Sequence, residues 1–313
     1  MSDLRFLRIF QVRLGAGRRV FAVLATLLIS SGAASAERLG WSLSTTNDSL
    51  GDQSDRWRSS SEQLSLVYGK RWSGDLPQQF GDLIELRFRA DILTPSNLSA
   101  PDPSDRRYAN ALVFGAHSHW QNAGFEWTAG ADLYVIGPQT GLRAIQETLH
   151  EALGFPVPNV DGFEISDRLR PSVSVEVARS MSWGKLEVRP FVSGDLGAET
   201  FVRAGVDFDW GAAASGDLKL RQVVSGHRVS AVREKKSRGW RATFGGDVAR
   251  MADSVFLPAE GPRTRDFRTR VRAGIAYHWA DAQIFYGHTW LGPEFEGQGT
   301  GQRVGTLQLT VTF

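Results

Sequence analysis

Apolar and polar side chains alternate one for one along most of the chain after residue 40. Ile84, Leu86, Phe88 and Ala90 interleave with Glu85, Arg87, Arg89 and Asp91, a strand with one oily face and one ionic face. The same period runs through Leu64–Tyr68, Phe125–Val135, Val173–Val177, Val202–Trp210, Val271–Tyr277 and Leu307–Phe313. Clusters of Pro, Gly and charge interrupt it at 93–107, 137–168, 211–238 and 291–302, which read as long loops. One segment, VIGPQTGLRAIQETLHEALG (135–154), follows helical spacing instead. Thr140 is its expected N-cap and Gly154 its C-terminal glycine. Leu142, Ile145, Leu149 and Leu153 form the expected buried stripe, with Gln146 and His150 as an i,i+4 pair on a different face. A proton acceptor near neutral pH thus stands beside an amide able to orient it, although a solvated polar face is the simpler reading of the two residues alone.

Alternation alone fits a soluble sandwich as well as a barrel, and three features decide for the barrel. Tryptophans fall at strand ends (Trp41, Trp72, Trp120, Trp183, Trp210, Trp240, Trp279, Trp290), as membrane-interface girdles do. Residues 1–36 read as a secretory leader, with Arg5, Arg8, Arg13, Arg18 and Arg19 before the apolar run Val20–Ile29 and Ala34-Ser35-Ala36 at the cleavage point. The chain also ends on a strand at Phe313, resembling the signal read by the outer-membrane barrel-assembly machinery. No later stretch holds about 18 consecutive apolar residues, so a helical span is not on offer. The expected fold is all-β: a transmembrane antiparallel barrel over 37–313 of about twelve strands at roughly ten residues each. The short helix rides in one extended loop.

Composition narrows the function. Loss of the leader takes 36 basic and 34 acidic residues to 31 and 33, and the formal charge from +2 to −2. That removes the main argument for a nucleic-acid partner. The absence of cysteine excludes a disulfide framework and a thiolate metal site. The basic stretch GHRVSAVREKKSRG (226–239) is read as an outward loop suited to a phosphorylated lipid surface, with an unpartnered solvated loop as the alternative.

Two further groups could carry chemistry. Asn47-Asp48 ends the first strand pattern; the pair suits a turn, or a hard-cation site built from oxygen ligands. His117 and His119 share one strand face but lack a third ligand at convincing spacing, so polar lumen residues are expected there.

Taken in order, Asn47-Asp48, Asp55-Arg56 with Ser59–Ser61, Asp91-Ile92-x-x-Pro95, Asp105-Arg106-x-Tyr108-Ala109 and the 135–154 segment resemble the LpxR family of outer-membrane lipid A deacylases. The match is strongest at the Gly-Pro turn, Gly141, Gln146, His150 and Gly154. The resemblance implies a twelve-stranded, monomeric barrel that removes the 3′-linked acyloxyacyl group of lipid A in the outer membrane by Ca2+-dependent ester hydrolysis. It implies His150 as general base, Asp48 with Asn47 as calcium ligands, a hydroxyl at Ser60 (Ser59 or Ser61 in a shifted register) and Gln146 orienting His150. The family's lysine after the Asp-x-x-x-Pro segment is Ala100 here, with Arg106 or Arg107 as conceivable substitutes. A phospholipase-type acyl hydrolase and a non-catalytic barrel or channel are the alternatives.

Overall fold

The computed structural model describes residues 36–211, 216–234 and 238–313. But for Ala36, the expected leader lies outside them. Inward-facing charge and outward-facing aliphatics can share one strand only if the sheet has a polar inside and an oily outside, and the described chain builds that. Twelve antiparallel strands form the wall: β1 (Glu37–Asn47), β2 (Trp57–Gly69), β3 (Leu83–Thr94), β4 (Ala109–Asn122), β5 (Phe125–Ile136), β6 (Arg168–Ala178), β8 (Leu186–Leu196), β9 (Glu199–Trp210), β12 (Gly239–Ser254), β13 (Phe267–Trp279), β14 (Ala282–Leu291) and β15 (Gln302–Thr312). A three-residue strand, β7 (Met181–Trp183), extends the line of β6 beside β8. The wall closes because β1 pairs with β15 from Gly40↔Thr312 to Asn47↔Gly305, and β6 pairs with β8 from Val173↔Leu196 to Ala178↔Phe191. Among the described residues the twelve wall strands therefore each have a neighbour on both sides, which removes the open edges of a flat sheet.

Leu43, Val173, Val192, Val202, Phe244, Val271, Ile275 and Leu309 are exposed on the outer wall, while Glu85, Arg87, Arg89 and Asp91 are buried on the inner one. Trp183, Trp210, Trp240 and Phe313 are exposed near the end that carries the C-terminus. In outer-membrane barrels the long loops lie on the extracellular side. That places α1 (Leu142–Leu153) and the loops after β1, β3, β12 and β14 outside. Trp72 departs from the girdle: it packs on the cluster of Leu39, Val67 and Leu83, and its Nε1 donates to the carbonyl of Gly216 at 2.7 Å.

The expected outward basic loop is overturned. Residues of 211–238 leave the opposite, periplasmic end and fold into the lumen as a hairpin of β10 (Leu218–Arg221) and β11 (Arg228–Val232). Its charges find partners on the inner wall. Arg221 meets Glu176 at 2.6 Å and Asp207 at 2.7 Å; Lys219 meets Glu187 at 2.9 Å; Arg228 meets Glu187 at 3.1 Å and Glu126 at 3.3 Å. Thr310 Oγ1 donates to the carbonyl of Ser230, and Val229 packs on Ala276 and Phe285. Eight strands make a bore that side chains alone can fill; twelve leave room for this insert. His117 and His119 line the same lumen, facing Asp132 at 3.1 Å and Glu85 at 3.2 Å. No group of three His, Cys, Asp or Glu there or elsewhere among the described residues could hold a metal.

Candidate active site

The site is assembled at the extracellular rim, where the β1–β2 turn meets the loop that follows β5. A 3-10 turn at Pro138–Thr140 leads into Gly141, whose left-handed backbone (φ 72°) caps α1. Thr140 is therefore one residue too early to be the N-cap. Its hydroxyl donates to Asn110 Oδ1 at 2.6 Å and accepts the N–H of Leu142, the first helical residue, at 3.3 Å. Gly154 closes the helix as expected, in the left-handed region at φ 74°, with its N–H donated to the carbonyl of His150.

The helix presents the opposite face from the one expected. Ile145, Leu149 and Leu153 are 55%, 54% and 64% exposed, whereas Leu142 and Gln146 are buried. The apolar stripe faces away from the protein, as a helix lying against a lipid surface would have it. The polar side is what the protein has to satisfy. Gln146 Oε1 accepts from the Tyr108 hydroxyl at 2.9 Å; burial pushes that phenol up to about 12, so it stays a donor. On the outside, Arg143 pairs with Glu147 on the next turn of the same helix at 2.8 Å and ties the helix to Asp161 at 2.7 Å.

Gln146 is thus spent on Tyr108, and His150 is oriented by other groups. Its Nδ1 stands 2.7 Å from the carbonyl of Pro156, and Phe155 packs edge-on against the ring. A carbonyl can only accept, so Nδ1 carries the proton and Nε2 keeps its lone pair. Nε2 faces Asp55 Oδ2 at 3.5 Å. Asp55 in turn accepts from Ser59 Oγ at 2.8 Å.

Asp48, just past β1, is buried and its Oδ2 accepts the N–H of Arg56 at 2.8 Å. Burial and the neighbouring Asp55 push its carboxyl up to about 7. Nearby, Asp52 Oδ1 is buried without a hydrogen-bond partner. Asn47 Oδ1 accepts from the backbone N–H of Ser49 at 2.7 Å and from its hydroxyl. Among the three serines the strand decides: Ser59 and Ser61 are buried, with Ser61 donating to Asp91 at 2.6 Å. Ser60 lies on the outer wall, where its hydroxyl donates to Glu62 at 3.1 Å.

The remaining matched segments are scaffold. Asp91 pairs with Arg89 at 2.8 Å inside the barrel, and Asp105 accepts the N–H of Ser96. Arg106 is fully buried against Glu294 at 2.7 Å, and Arg107 lies over the ring of Phe163. Neither is free to replace the lysine missing at Ala100, itself exposed with its N–H on Asn97. Asp55 and Tyr108 have roles that sequence spacing did not assign.

A closed barrel with an oily outer wall, a filled polar lumen and its reactive groups on the rim defines an outer-membrane β-barrel with a lipid-side site. A family model described as "Outer membrane protein LpxR" matches residues 20–313, and the chain belongs to that family. Among solved structures, LpxR from Salmonella typhimurium superposes with a TM-score of 0.71 at 16% identity, over 88% of this chain and 100% of that one. The KdgM porin gives 0.42 at 7% identity (88% and 99% covered), and the translocator domain of the autotransporter NalP from Neisseria meningitidis 0.41 at 10% (95% and 94%). No curated protein matches the sequence.

Proposed function

We propose that the protein is a lipid A deacylase that hydrolyses the 3′-linked acyloxyacyl ester at the outer face of the outer membrane. The observation that carries this is the His150–Asp55 pair at 3.5 Å with the buried Asp48 carboxyl close enough to feel Asp55, in a chain of the LpxR family. A channel reading has little support, because the hairpin β10–β11 and its ion pairs occupy the bore.

Ester hydrolysis needs a base for water and a stabiliser for the oxyanion. Held by Pro156, His150 offers Nε2 to a water on its Asp55 side. Once protonated, the ring is stabilised by that carboxylate, and it can return the proton to the leaving alkoxide. The rim suits calcium in donor chemistry. Its ligands are hard oxygens, Asp48 is a buried carboxylate crowded by Asp55 and Asp52, and Asp52 has an unpartnered oxygen. Asp48 and Asn47, with Asp52 or Asp55, would hold the ion. When bound it supplies Lewis-acid polarisation of the ester carbonyl. Ser60, whose proton is held by Glu62, would accept a hydrogen bond from the substrate at the wall.

Mass spectrometry of lipid A from cells expressing the wild type or His150→Ala tests the reading. Loss of the 3′ acyloxyacyl mass with the wild type alone is expected. Unchanged lipid A with both would overturn it.

A further inference from the structure

Within Trp41–Asn47 of β1, Ser60–Tyr68 of β2 and Ile84–Ile92 of β3, the outward positions are apolar or neutral except for one carboxylate, Glu62. It is exposed, one outward position below Ser60, about 7 Å further down the wall. Below it the wall turns oily, through Leu43, Leu64 and Phe88. A leucine at this place would suit the lipid face better, since charge on a barrel's outer wall is destabilising. An ionisable residue kept in lipid points to function.

The carboxylate is also prepared for a ligand. Thr45 Oγ1 at 2.6 Å and Ser60 Oγ at 3.1 Å both donate to the same oxygen, Oε1. Both wall hydroxyls are spent on Oε1 of an exposed side chain, so Oε2 is the oxygen left for a ligand. The groups that can reach Oε2 from the membrane side belong to a lipid. We propose that Glu62 is a substrate-contacting residue, its Oε2 accepting a hydrogen bond from a hydroxyl or amide N–H on the sugar of lipid A. The sugar then lies along Asn47, Ser60 and Glu62, and the acyl chains run down Leu43, Leu64 and Phe88. The proposal rests on the deacylase reading for its lipid, and goes beyond it in naming what fixes the lipid's height on the wall.

The full-length barrel in detergent micelles provides the test, with Glu62→Leu and Glu62→Gln beside the wild type. Binding of lipid A and of phosphatidylethanolamine is read by native mass spectrometry, and KM and kcat from acyl release. Heat-modifiable gel mobility reports the fold. The Leu variant is expected to fold and to resist heat at least as well as the wild type. It should bind lipid A about tenfold or more weakly, as loss of a charge-assisted hydrogen bond implies, with KM rising in step, kcat less affected and Gln intermediate. Lipid A binding within twofold of wild type in the Leu variant would overturn the proposal. So would Glu62 dependence seen with phosphatidylethanolamine alone, or wild-type protein that binds no lipid A. Glu62-dependent binding of lipid A without acyl release would instead sink the deacylase reading and leave this contact standing.

Discussion

His150 on α1 and Asp55 at the approach to β2 face each other at 3.5 Å, so the helix of one loop and the turn of another close over the same patch of outer wall. The pair gives the imidazole a carboxylate on the side where it would gain a proton. Replacing His150 with Ala is expected to cut deacylation by about 10²–10⁴-fold, the usual worth of a general base. The barrel should stay folded, because the side chain sits on the rim and outside the wall. Asp55→Asn should lower kcat by a smaller factor. An unchanged kcat would show that Asp55 acts elsewhere. Acyl release from lipid A makes both measurements.

Asp48 links stability to pH. Its folded carboxyl titrates near 7 against 3.8 for the free group, so the folded state holds the proton more tightly than the unfolded one. Below the free value the group has no effect. As pH rises through the interval the metal-free protein loses stability, by roughly 3–4 kcal/mol once past the folded value. Asp48→Asn should therefore stabilise the chelator-treated protein at pH 8 and abolish turnover. Calcium should stabilise the wild type at pH 8 and have much less effect on the variant. Urea unfolding in detergent at pH 5 and pH 8, with and without calcium, shows whether the signs hold.

The three consecutive serines separate by face. Ser60→Ala is expected to reduce acyl release with little change in unfolding. Ser61→Ala leaves Asp91 short of a buried donor and should cost about 1–3 kcal/mol of stability while sparing kcat. Reversal of that pattern would mean the reactive hydroxyl faces the lumen.

Tyr108→Phe deletes the one hydroxyl that holds Gln146 from inside. Local opening of α1 should become easier by about 1–3 kcal/mol, visible as faster hydrogen exchange over 142–153. Acyl release should fall without any change in the pH profile below pH 9, since the phenol, pushed up to about 12, stays protonated throughout that range.

Arg221→Ala takes one partner from Glu176 and from Asp207, which keep Arg189 and Arg272, so the loss of stability should stay below the about 3–5 kcal/mol of leaving a buried charge unpaired. Loosened packing of β10–β11 should appear as protease cleavage near residues 216–234 from the periplasmic side.

The strands were readable because dyad alternation is a local property: Glu85 to Asp91 carry their inward ladder in seven consecutive letters. The position of α1 was readable for the same reason, from Gly141 and Gly154. Which face it buries was not. Ile145, Leu149 and Leu153 signal a core only when the alternative is water, and here the alternative is lipid. The hairpin at 218–232 failed for a different reason. Its arginines look like a solvated patch until Glu126, Glu176, Glu187 and Asp207, scattered over four distant stretches, are brought around them. Glu62 left a visible mark, a carboxylate in the phase of Leu64, Leu66 and Tyr68, and only the wall's outward direction gives that mark its meaning.

The bore filled by β10–β11 has a bearing on traffic. On the deacylase reading, a released acyl chain would meet Arg221, Arg228 and their acidic partners on an inward path, and would depart sideways into the leaflet that supplied the substrate. Turnover would then be separate from any traffic through the bore.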